Sequence, residues 1–480
     1  MKMRTDVGLA YDDVLLVPKR SRIAHRGDVS TKTKLSRHIT LNIPFVSANM
    51  DTVTESKMAI ALAREGGIGM IHRFMTISRQ VEEVKKVKRF EGFMVDNPFT
   101  LRPDATLKEA LELMNLKQIS GFLIVDNKEK LLGVLSRRDM LFVDDFKIPV
   151  HKLMTPFAKL ITAGVSVKKE EARKLLQKYK VEKLPVIDEK GILKGLITSR
   201  SLESLQKHPY SAKDRNGSLL VGAAVGAVGD YVERSKALLD AGADVLIVDV
   251  AHGHNEVAIS AIATLRKKYK DAELIGGNIA TPEAAFDLIK MGVDSVKVGI
   301  GPGGLCTTRI VAGVGVPQWT AVKECSTLAK KYKIPVIADG GTNHLGDITK
   351  ALAVGGSCCM LAGWFAGTDE SPGEIIMRKG MKYKAHRGSA SFLAVADRKI
   401  ASSSSPSAER LNTIVAEGVE ALIPYKGRVS DVIYQLLGGL RSGMSYCNAS
   451  KIEELWKNAE FVRITEAGLR ESKSHNVEEI

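Results

Sequence analysis

The chain has 480 residues and a mass of 52.1 kDa, a size that predicts one large domain together with a smaller one. Apolar residues make up 44% of the chain and 42 residues are glycine, which excludes a disordered or fibrous protein. The net charge of +15 fits a small anionic substrate, whereas scattered basic residues and an aromatic content of only 5% disfavour a nucleic-acid-binding surface.

The number and spacing of the cysteines indicate whether the protein works in a reducing or an oxidising compartment. There are five, an odd number without CxxC spacing, so we expect a reducing compartment with neither a disulfide framework nor a zinc site. No apolar stretch is long enough for a signal peptide or a membrane span. We therefore expect a cytoplasmic protein that has no membrane partner.

The first predicted elements are strand–helix units. The peptide IPFVSANMDTVTESKMAIALAREGGIGMIHRF, residues 43–74, alternates short apolar runs with helical stretches. It predicts the opening units of a larger series.

An internal repeat follows. The peptide GFLIVDNKEKLLGVLSRRDM recurs as EKLPVIDEKGILKGLITSRSL, and Asp126 corresponds to Asp188 at an offset of 62 residues (188 − 126). Each copy predicts helix, strand, turn, strand and helix, and two copies can bury their apolar faces against each other. We predict a small α/β module over residues 97–205, with copies at about 97–150 and 151–205.

The two copies resemble a pair of CBS motifs, a Bateman module, in which purine nucleotides are held between the repeats. In that family an Asp at the start of the last helix commonly binds the ribose hydroxyls. Asp139 occupies that place in the first copy, whereas the second copy has Ser201. The resemblance implies one regulatory purine-nucleotide site at Asp139. A module that only packs and binds nothing is the alternative.

The rest of the chain continues the strand–helix alternation. Six apolar runs end in glycine or polar residues: LLVGAAVG, DVLIVDVAHG, ELIGGNIAT, SVKVGIGPGG, PVIADGGT and CCMLAGWFAG. Continuous apolar strands alternating with helices indicate a parallel sheet buried on both faces, and so long a series favours a closed barrel. We predict a (β/α)8 TIM barrel over residues 1–96 and 206–480, with the module inserted in a strand-to-helix connection near its beginning.

A glycine-rich loop contains the strongest chemical signal. In such a barrel the active site is built on the loops that leave the C-terminal ends of the strands, and GIGPGGLCTTR, residues 299–309, is one of them. A thiolate at Cys306 can attack an electron-poor heteroaromatic carbon, and Arg309 together with loop amides would favour the thiolate. A buried structural cysteine is the alternative.

With VSANMDTVTE, VDVAHGHN, GGNIATPE, IADGGTNHLGD and LGGLRSGMSY, this loop resembles the IMP dehydrogenase and GMP reductase family over the whole chain, the inserted CBS pair included. In that family the loop cysteine bonds covalently to purine C2, while a nicotinamide transfers or accepts hydride at that carbon. The resemblance implies that Cys306 attacks a purine nucleoside monophosphate and that Thr308 lies beside it.

The resemblance also implies binding residues. Asp339 would bind the ribose hydroxyls, a role that suits a carboxylate accepting two hydrogen bonds. The backbone of Gly340, Gly341 and Gly363 would hold the phosphate. The other substrate-side positions are Met50, Asn278, Gly304, Gly388 and Ser389. The nicotinamide-side positions are Asp249, Ala251 and His252, although a histidine at a strand end more often orients a neighbour.

Family enzymes often hold a monovalent cation, usually potassium, on carbonyls of the cysteine loop and on the C-terminal tail of a neighbouring subunit. The matching positions are Gly301, Gly303, Cys306, Glu471 and Ser472. The resemblance therefore implies a potassium site and a homotetramer or octamer.

Two positions depart from the family pattern. Gly304 and Gly363 stand where the family usually has serines that touch the phosphate. Backbone amides can still bind phosphate, but two hydroxyl donors are missing.

In the family, the dehydrogenases and the reductases differ in a mobile flap beside the active site. The dehydrogenases hydrolyse a covalent adduct with an Arg-Tyr pair on this flap, whereas the reductases expel ammonia from C2 and use NADPH. Here Arg398 precedes Lys399 and Arg410 precedes Leu411, so the segment has no such pair.

Glu417 matches the acid that the reductases pair with a Thr, here Thr308, for proton transfer to the leaving amine. These features predict an NADPH-dependent GMP reductase that converts GMP to IMP and ammonia. The alternative is an IMP dehydrogenase that uses NAD, and a third possibility is a non-catalytic nucleotide sensor.

Overall fold

A computed structural model describes residues 3–90, 94–95, 98–117, 119–199, 202, 208–402 and 415–474, with backbone only for 398–402. The chain divides into two compact units. One comprises Met1–Phe90, Tyr210–Asp214 and Leu219–Ile480, and the other Glu91–Pro209 and Arg215–Ser218. Within the described ranges, no helix is long and apolar enough to cross a membrane.

The first unit is a closed barrel of eight parallel strands, which confirms the predicted TIM barrel. The strands contain almost only buried residues, as a sheet covered on both faces requires. In chain order they are β1 Phe45–Ser47, β2 Ile68–Ile71, β3 Val221–Val225, β4 Val245–Asp249, β5 Glu273–Ile279, β6 Ser295–Val298, β7 Val336–Asp339 and β8 Cys358–Leu361.

One helix follows each strand and packs its apolar side on the sheet. Local signals set several helix starts: the Asn255 side chain accepts from the amide of Ala258, and Thr281 caps a helix that has Pro282 as its first residue. The helices are α1 Ser56–Arg64, α2 Ile77–Phe90, α3 Tyr231–Asp240, α4 Glu256–Lys268, α5 Pro282–Lys290, α6 Gln318–Lys331, α7 Leu345–Ala353 and α8 Val429–Tyr446.

Smaller elements surround the barrel. A three-stranded antiparallel sheet, here called the flap sheet, consists of Ile376–Arg378, Met381–Arg387 and Glu420–Pro424. Strand Val14–Leu16 pairs with Phe461–Arg463, which joins an early segment of the chain to a late one. The remaining elements are the hairpin Thr33–Lys34 and Thr40–Leu41 and the helices Thr308–Val311, Phe392–Ser402, Ile452–Asn458 and Glu466–Glu471.

The second unit contains the repeat. Its helices are Leu107–Lys117 and Lys169–Tyr179, and its main strands are Gly121–Val125, Leu131–Ser136, Lys183–Ile187 and Leu193–Thr198. The helix and both main strands of the second copy start 62 residues after their counterparts (169 − 107, 183 − 121 and 193 − 131). Apolar residues of both copies share one cluster, and the amides of Leu131 and Leu193 each donate to a carbonyl of the other copy.

The site of insertion differs from the expectation. The chain leaves the barrel after α2 and returns before β3, so the inserted unit occupies a helix-to-strand connection, not a strand-to-helix one. The reason is that SRQVEEVKKVKRF forms the amphipathic helix that completes the second βα unit before the chain departs.

Candidate active site

The loop after β6 places Cys306 at the C-terminal end of the barrel. Gly299 has a φ of 155° and Gly301 a φ of 83°, and a Cβ on Gly299 would lie 2.1 Å from the carbonyl oxygen of Asp339. The loop can therefore lie this close to the end of β7 only with glycine at residue 299. The amide of Cys306 donates to the carbonyl of Gly303 at 3.0 Å, which closes the turn under the thiol.

A hydrogen-bonded chain runs from Cys306 to a carboxylate. The Sγ of Cys306 donates to Thr308 Oγ1 at 3.2 Å, and Thr308 Oγ1 donates to Glu417 Oε2 at 2.8 Å. Backbone contacts hold the two segments together: Thr307 donates to the carbonyl of Glu417, and Cys306 forms an antiparallel bridge with Gly418. We call this chain the proton relay, because a proton can pass along it from sulfur or a bound water to Glu417.

Cys306 differs from the other cysteines in exposure. It is half-buried, whereas Cys325, Cys358, Cys359 and Cys447 are fully buried. Burial raises the pKa of Cys325 and of Cys359 to about 12, and it also raises the pKa of Cys358 well above its usual value. Those thiols are inert at neutral pH, so Cys306 is the cysteine suited to covalent chemistry.

Arg309 supports the loop of Cys306. Its Nη2 donates to the carbonyls of Val316 at 2.6 Å and Ile300 at 3.4 Å. Burial lowers the pKa of Arg309, and the neighbouring Cys306 opposes that shift. The guanidinium thus holds both ends of the glycine-rich segment.

A buried lysine connects the strand ends beside this loop. Lys297 on β6 donates to Asp339 Oδ2 at 2.6 Å and to Asn278, and it lies 3.3 Å from Asp249 Oδ1. Asn278 also donates to Asp339 Oδ2 at 2.9 Å. The Lys297 ammonium therefore brings together three of the sequence-predicted site residues, each from a different strand end.

The charges in this network are balanced. Burial opposes ionisation of Asp249, but Lys297 and Arg73 outweigh it and hold the pKa of Asp249 below its usual value. Burial likewise opposes the charge on Lys297, but Asp339 and Asp249 raise the lysine pKa. Sequence reasoning missed Lys297, although a lysine inside the buried run SVKV was an available signal.

The phosphate-side positions lie at the ends of β7 and β8, where TIM barrels frequently bind phosphate. Gly340 and Gly341 have φ values of 86° and 79°. The amides of Gly340, Gly341, Gly363 and Trp364 donate no hydrogen bond to any residue that the structure describes. We call these four amides the cradle, and free amides at strand ends suit an anion. A Cβ on Gly304 or Gly363 would meet nothing within 4 Å, so both positions face open space.

The purine-side positions are connected through the flap sheet. Gly388 donates to the carbonyl of Val419, and a Cβ on it would lie 3.2 Å from the carbonyl oxygen of Leu305, next to Cys306. Its neighbour Arg387 donates to Asp51 Oδ2 at 2.8 Å and so connects this segment to the loop of Met50. Sequence reasoning missed Arg387. Ser389 directly follows Gly388.

The nicotinamide-side positions follow β4. Ala251 and His252 are exposed, and the side chain of Asn255 donates to the carbonyl of His252. His254 pairs with Asp287 of α5 at 2.9 Å.

Glu471, Ser472 and Asp139 are the remaining predicted positions that the structure describes. Glu471 and Ser472 are exposed at the end of the C-terminal helix, and the Ser472 hydroxyl donates to Gly468. Asp139 Oδ2 accepts from both the amide and the hydroxyl of Ser136 at 2.7 Å, so it caps a short helix. The side chains of the flap residues Arg398 and Lys399, as well as all of Arg410 and Leu411, lie outside the described residues.

The chain is similar to proteins of one enzyme family over almost its whole length. A family model described as the IMP dehydrogenase / GMP reductase domain matches residues 8–475. An inosine-5'-monophosphate dehydrogenase of Nitrosopumilus maritimus (strain SCM1) is 51% identical over 471 residues, 98% of each chain. The protein of that name from Aquifex aeolicus (strain VF5) is 50% identical over 474 residues, 98% of this chain and 96% of its own. A crystal structure of a variant GMP reductase from Trypanosoma brucei with guanosine 5'-monophosphate is 43% identical with a TM-score of 0.92, over 98% of each chain.

These relatives contradict the prediction of a GMP reductase. The curated proteins at about 50% identity over almost the whole chain carry the dehydrogenase name, which supports the alternative. The prediction gave too much weight to the missing Arg-Tyr pair. Its absence removes one base for water attack, but the carboxylate of Glu417 offers another, connected to the sulfur of Cys306 through Thr308.

Proposed function

The chain belongs to the IMP dehydrogenase / GMP reductase family of purine nucleotide oxidoreductases, and on that premise we propose that it is an IMP dehydrogenase. The reaction is IMP + NAD + water to XMP + NADH. The observation that carries the proposal is the similarity of about 50% identity over almost the whole chain to proteins named inosine-5'-monophosphate dehydrogenase. The proton relay from Cys306 through Thr308 to Glu417 supports it, because it connects a half-buried nucleophile to a carboxylate base.

Cys306 is the nucleophile. Its thiol proton passes through the Thr308 hydroxyl to Glu417, which releases it to solvent, as Sγ bonds to purine C2 and the hydride leaves C2. A bound NAD supplies the hydride acceptor, and Asp249, Ala251 and His252 are the residues that would line its site. The purine then remains attached to Sγ as an oxidised adduct.

Hydrolysis of this adduct needs a base for water. A water molecule beside Thr308 gives its proton to Glu417 through the hydroxyl as its oxygen bonds to C2. The C2–Sγ bond then breaks, which releases XMP and leaves the thiolate to regain a proton. General-base assistance of this kind contributes about 10²–10⁴-fold in rate.

Asp339 and the cradle hold the substrate for both steps. Lys297 and Asn278 occupy Oδ2 of Asp339, which leaves its other oxygen for the ribose hydroxyls. The free cradle amides receive the 5'-phosphate. Met50, Gly388 and Ser389 border the purine side.

We infer a monovalent cation, potassium, on the carbonyls of Gly301, Gly303 and Cys306, completed by Glu471 and Ser472 of a neighbouring subunit in a homotetramer or octamer. The tight turn at Gly303 supports this inference, because it holds several carbonyl groups of the loop in fixed positions.

We further propose that residues 97–205 are a CBS pair that binds a regulatory purine nucleotide. The 62-residue symmetry of the two copies and their shared apolar cluster support a cleft between matched elements. Asp139 would use its second carboxylate oxygen for the ribose, since Ser136 occupies the first.

The test is a paired product analysis. Pure protein is incubated with IMP and NAD, and separately with GMP and NADPH, while NADH or NADPH absorbance and the purine products are followed. We expect sustained formation of XMP from IMP over many turnovers. A single turnover of IMP followed by arrest, together with formation of IMP and ammonia from GMP, would overturn the proposal.

A further inference from the structure

We propose that Lys426 supplies the positive charge of the 5'-phosphate subsite, in place of the hydroxyl donors that Gly304 and Gly363 lack. The inference rests on the proposed function, because it assumes that the cradle binds a nucleoside monophosphate. It assigns a specificity role to a lysine on the segment that follows the flap sheet.

Backbone contacts hold Lys426 against the loop after β8. Its amide donates to the carbonyl of Gly367 at 2.9 Å, and Asp369 donates to the carbonyl of Gly427 at 2.8 Å. The hydroxyl of Tyr425 donates to Asp369 Oδ1 at 2.6 Å. The start of the lysine side chain is therefore fixed relative to the cradle.

The ammonium group contacts the carbonyls of two residues whose amides belong to the cradle. Lys426 Nζ donates to the carbonyl of Gly363, and it lies 3.4 Å from the carbonyl oxygen of Trp364. These are the two residues of the β8 loop whose amides remain free. The charge is thus within one peptide unit of the donors that face the anion.

No carboxylate among the described residues neutralises this charge. The hydrogen bonds of Lys426 Nζ go to two uncharged carbonyls, and burial alone lowers its pKa. The buried imidazole of His386 is close enough that the Lys426 charge adds to the effect of burial on its pKa. A half-buried cation without an acidic partner is costly, and a bound phosphate would compensate it.

A neighbouring lysine provides the contrast. Lys384 lies on the flap sheet itself and is buried, with Nζ donating to the carbonyl of Ser371 at 2.7 Å. Burial lowers its pKa too, but Asp369 and Glu370 partly oppose that shift. Lys384 therefore has acidic neighbours and no contact with the cradle, which makes it the matched control.

The experiment measures what the phosphate adds to binding. Dissociation constants for IMP and for inosine are determined without cofactor, so no turnover occurs, and their ratio is compared among variants. Lys426→Gln keeps a donor for the carbonyls but removes the charge. We expect it to reduce the inosine-to-IMP ratio about tenfold or more, with inosine affinity unchanged.

Three further variants complete the test. Lys426→Arg should retain a ratio close to that of the wild type, Lys426→Met should match Lys426→Gln, and Lys384→Gln should leave the ratio unchanged. Equal losses for IMP and inosine in Lys426→Gln would show that the lysine only supports the loop, and an unchanged ratio would refute the inference outright. If the wild type binds IMP but forms no XMP, the proposed function fails. The binding ratios still test the role of Lys426, because they do not depend on turnover.

Discussion

Replacing Thr308 by Val tests the proton relay most directly. The two side chains have the same shape, so the change removes the hydroxyl and little else. It breaks both the 3.2 Å contact with Cys306 Sγ and the 2.8 Å contact with Glu417 Oε2. The ribose and phosphate contacts lie on β7 and β8 and stay in place.

The expected fall in kcat depends on which step of the reaction needs a base. Adduct hydrolysis loses the general base, which predicts a fall in kcat of about 10²–10⁴-fold. Attack by Cys306 loses less, because sulfur is intrinsically a strong nucleophile, whereas water attacks slowly without a base. The KM for IMP should change little, since no binding contact is removed.

The assay is rapid mixing of the Thr308→Val variant with IMP and NAD. We expect a burst of about one NADH per site, then slow turnover, with the adduct trapped on Cys306 detectable by mass. Glu417→Gln should behave alike, and the double variant should be no slower than either single one, because the two residues act as a unit.

The reasoning is refuted if Thr308→Val retains kcat within about twofold of the wild type, far less than general-base loss would cost. It is also refuted if the losses of the two single variants multiply in the double variant, because independent residues would then be acting. A base outside the relay would have to activate the water in either case.

Four more outcomes are expected. Cys306→Ala should abolish turnover while IMP still binds, and retention of more than a few per cent of activity would contradict the covalent mechanism. Replacing residues 97–205 by a short linker should leave an active barrel whose activity does not respond to ATP or GTP. If no purine nucleotide changes the activity of the intact enzyme, the module has only a structural role. Replacing potassium by lithium at constant ionic strength should lower kcat, and an unchanged kcat would argue against the cation site. Burial lowers the pKa of His386 from 6.5 to about 4. Between these two pH values the imidazole of His386 therefore binds a proton in the unfolded chain but not in the folded chain. Stability should therefore fall as the pH drops from 6.5 towards 4, by about 3 kcal/mol in total. His386→Gln should lose Tm less steeply over that range, and parallel curves would exclude His386 as the cause.

The sequence predicted the fold well because its signals are local. Each of the six apolar runs between LLVGAAVG and CCMLAGWFAG forms a barrel strand. The repeat predicted elements whose starting residues differ by 62 in the structure. The insertion point was wrong because the helical pattern of Ile77–Phe90 was not assigned to the second βα unit.

The candidate site was predicted only in part. Cys306, Asp339 and the glycines stand out because unusual residue types follow apolar strands. Lys426 and Arg387 did not, because their partners are remote in sequence: Gly363 is 63 residues from Lys426, and Asp51 is 336 residues from Arg387. No local pattern marks such contacts.

By itself, the sequence determined where strands and helices form, how the repeat is phased and which thiol lies in a glycine-rich loop. These features depend on residue patterns over a short stretch of chain, so a local segment of sequence is enough to predict them. Only the tertiary structure decided that Lys297 joins Asp249, Asn278 and Asp339. The contacts of Thr308 with Cys306 and Glu417 were implied by the family resemblance, and the structure added their geometry. Closure of the barrel brings the ends of distant strands together, and that convergence creates the site.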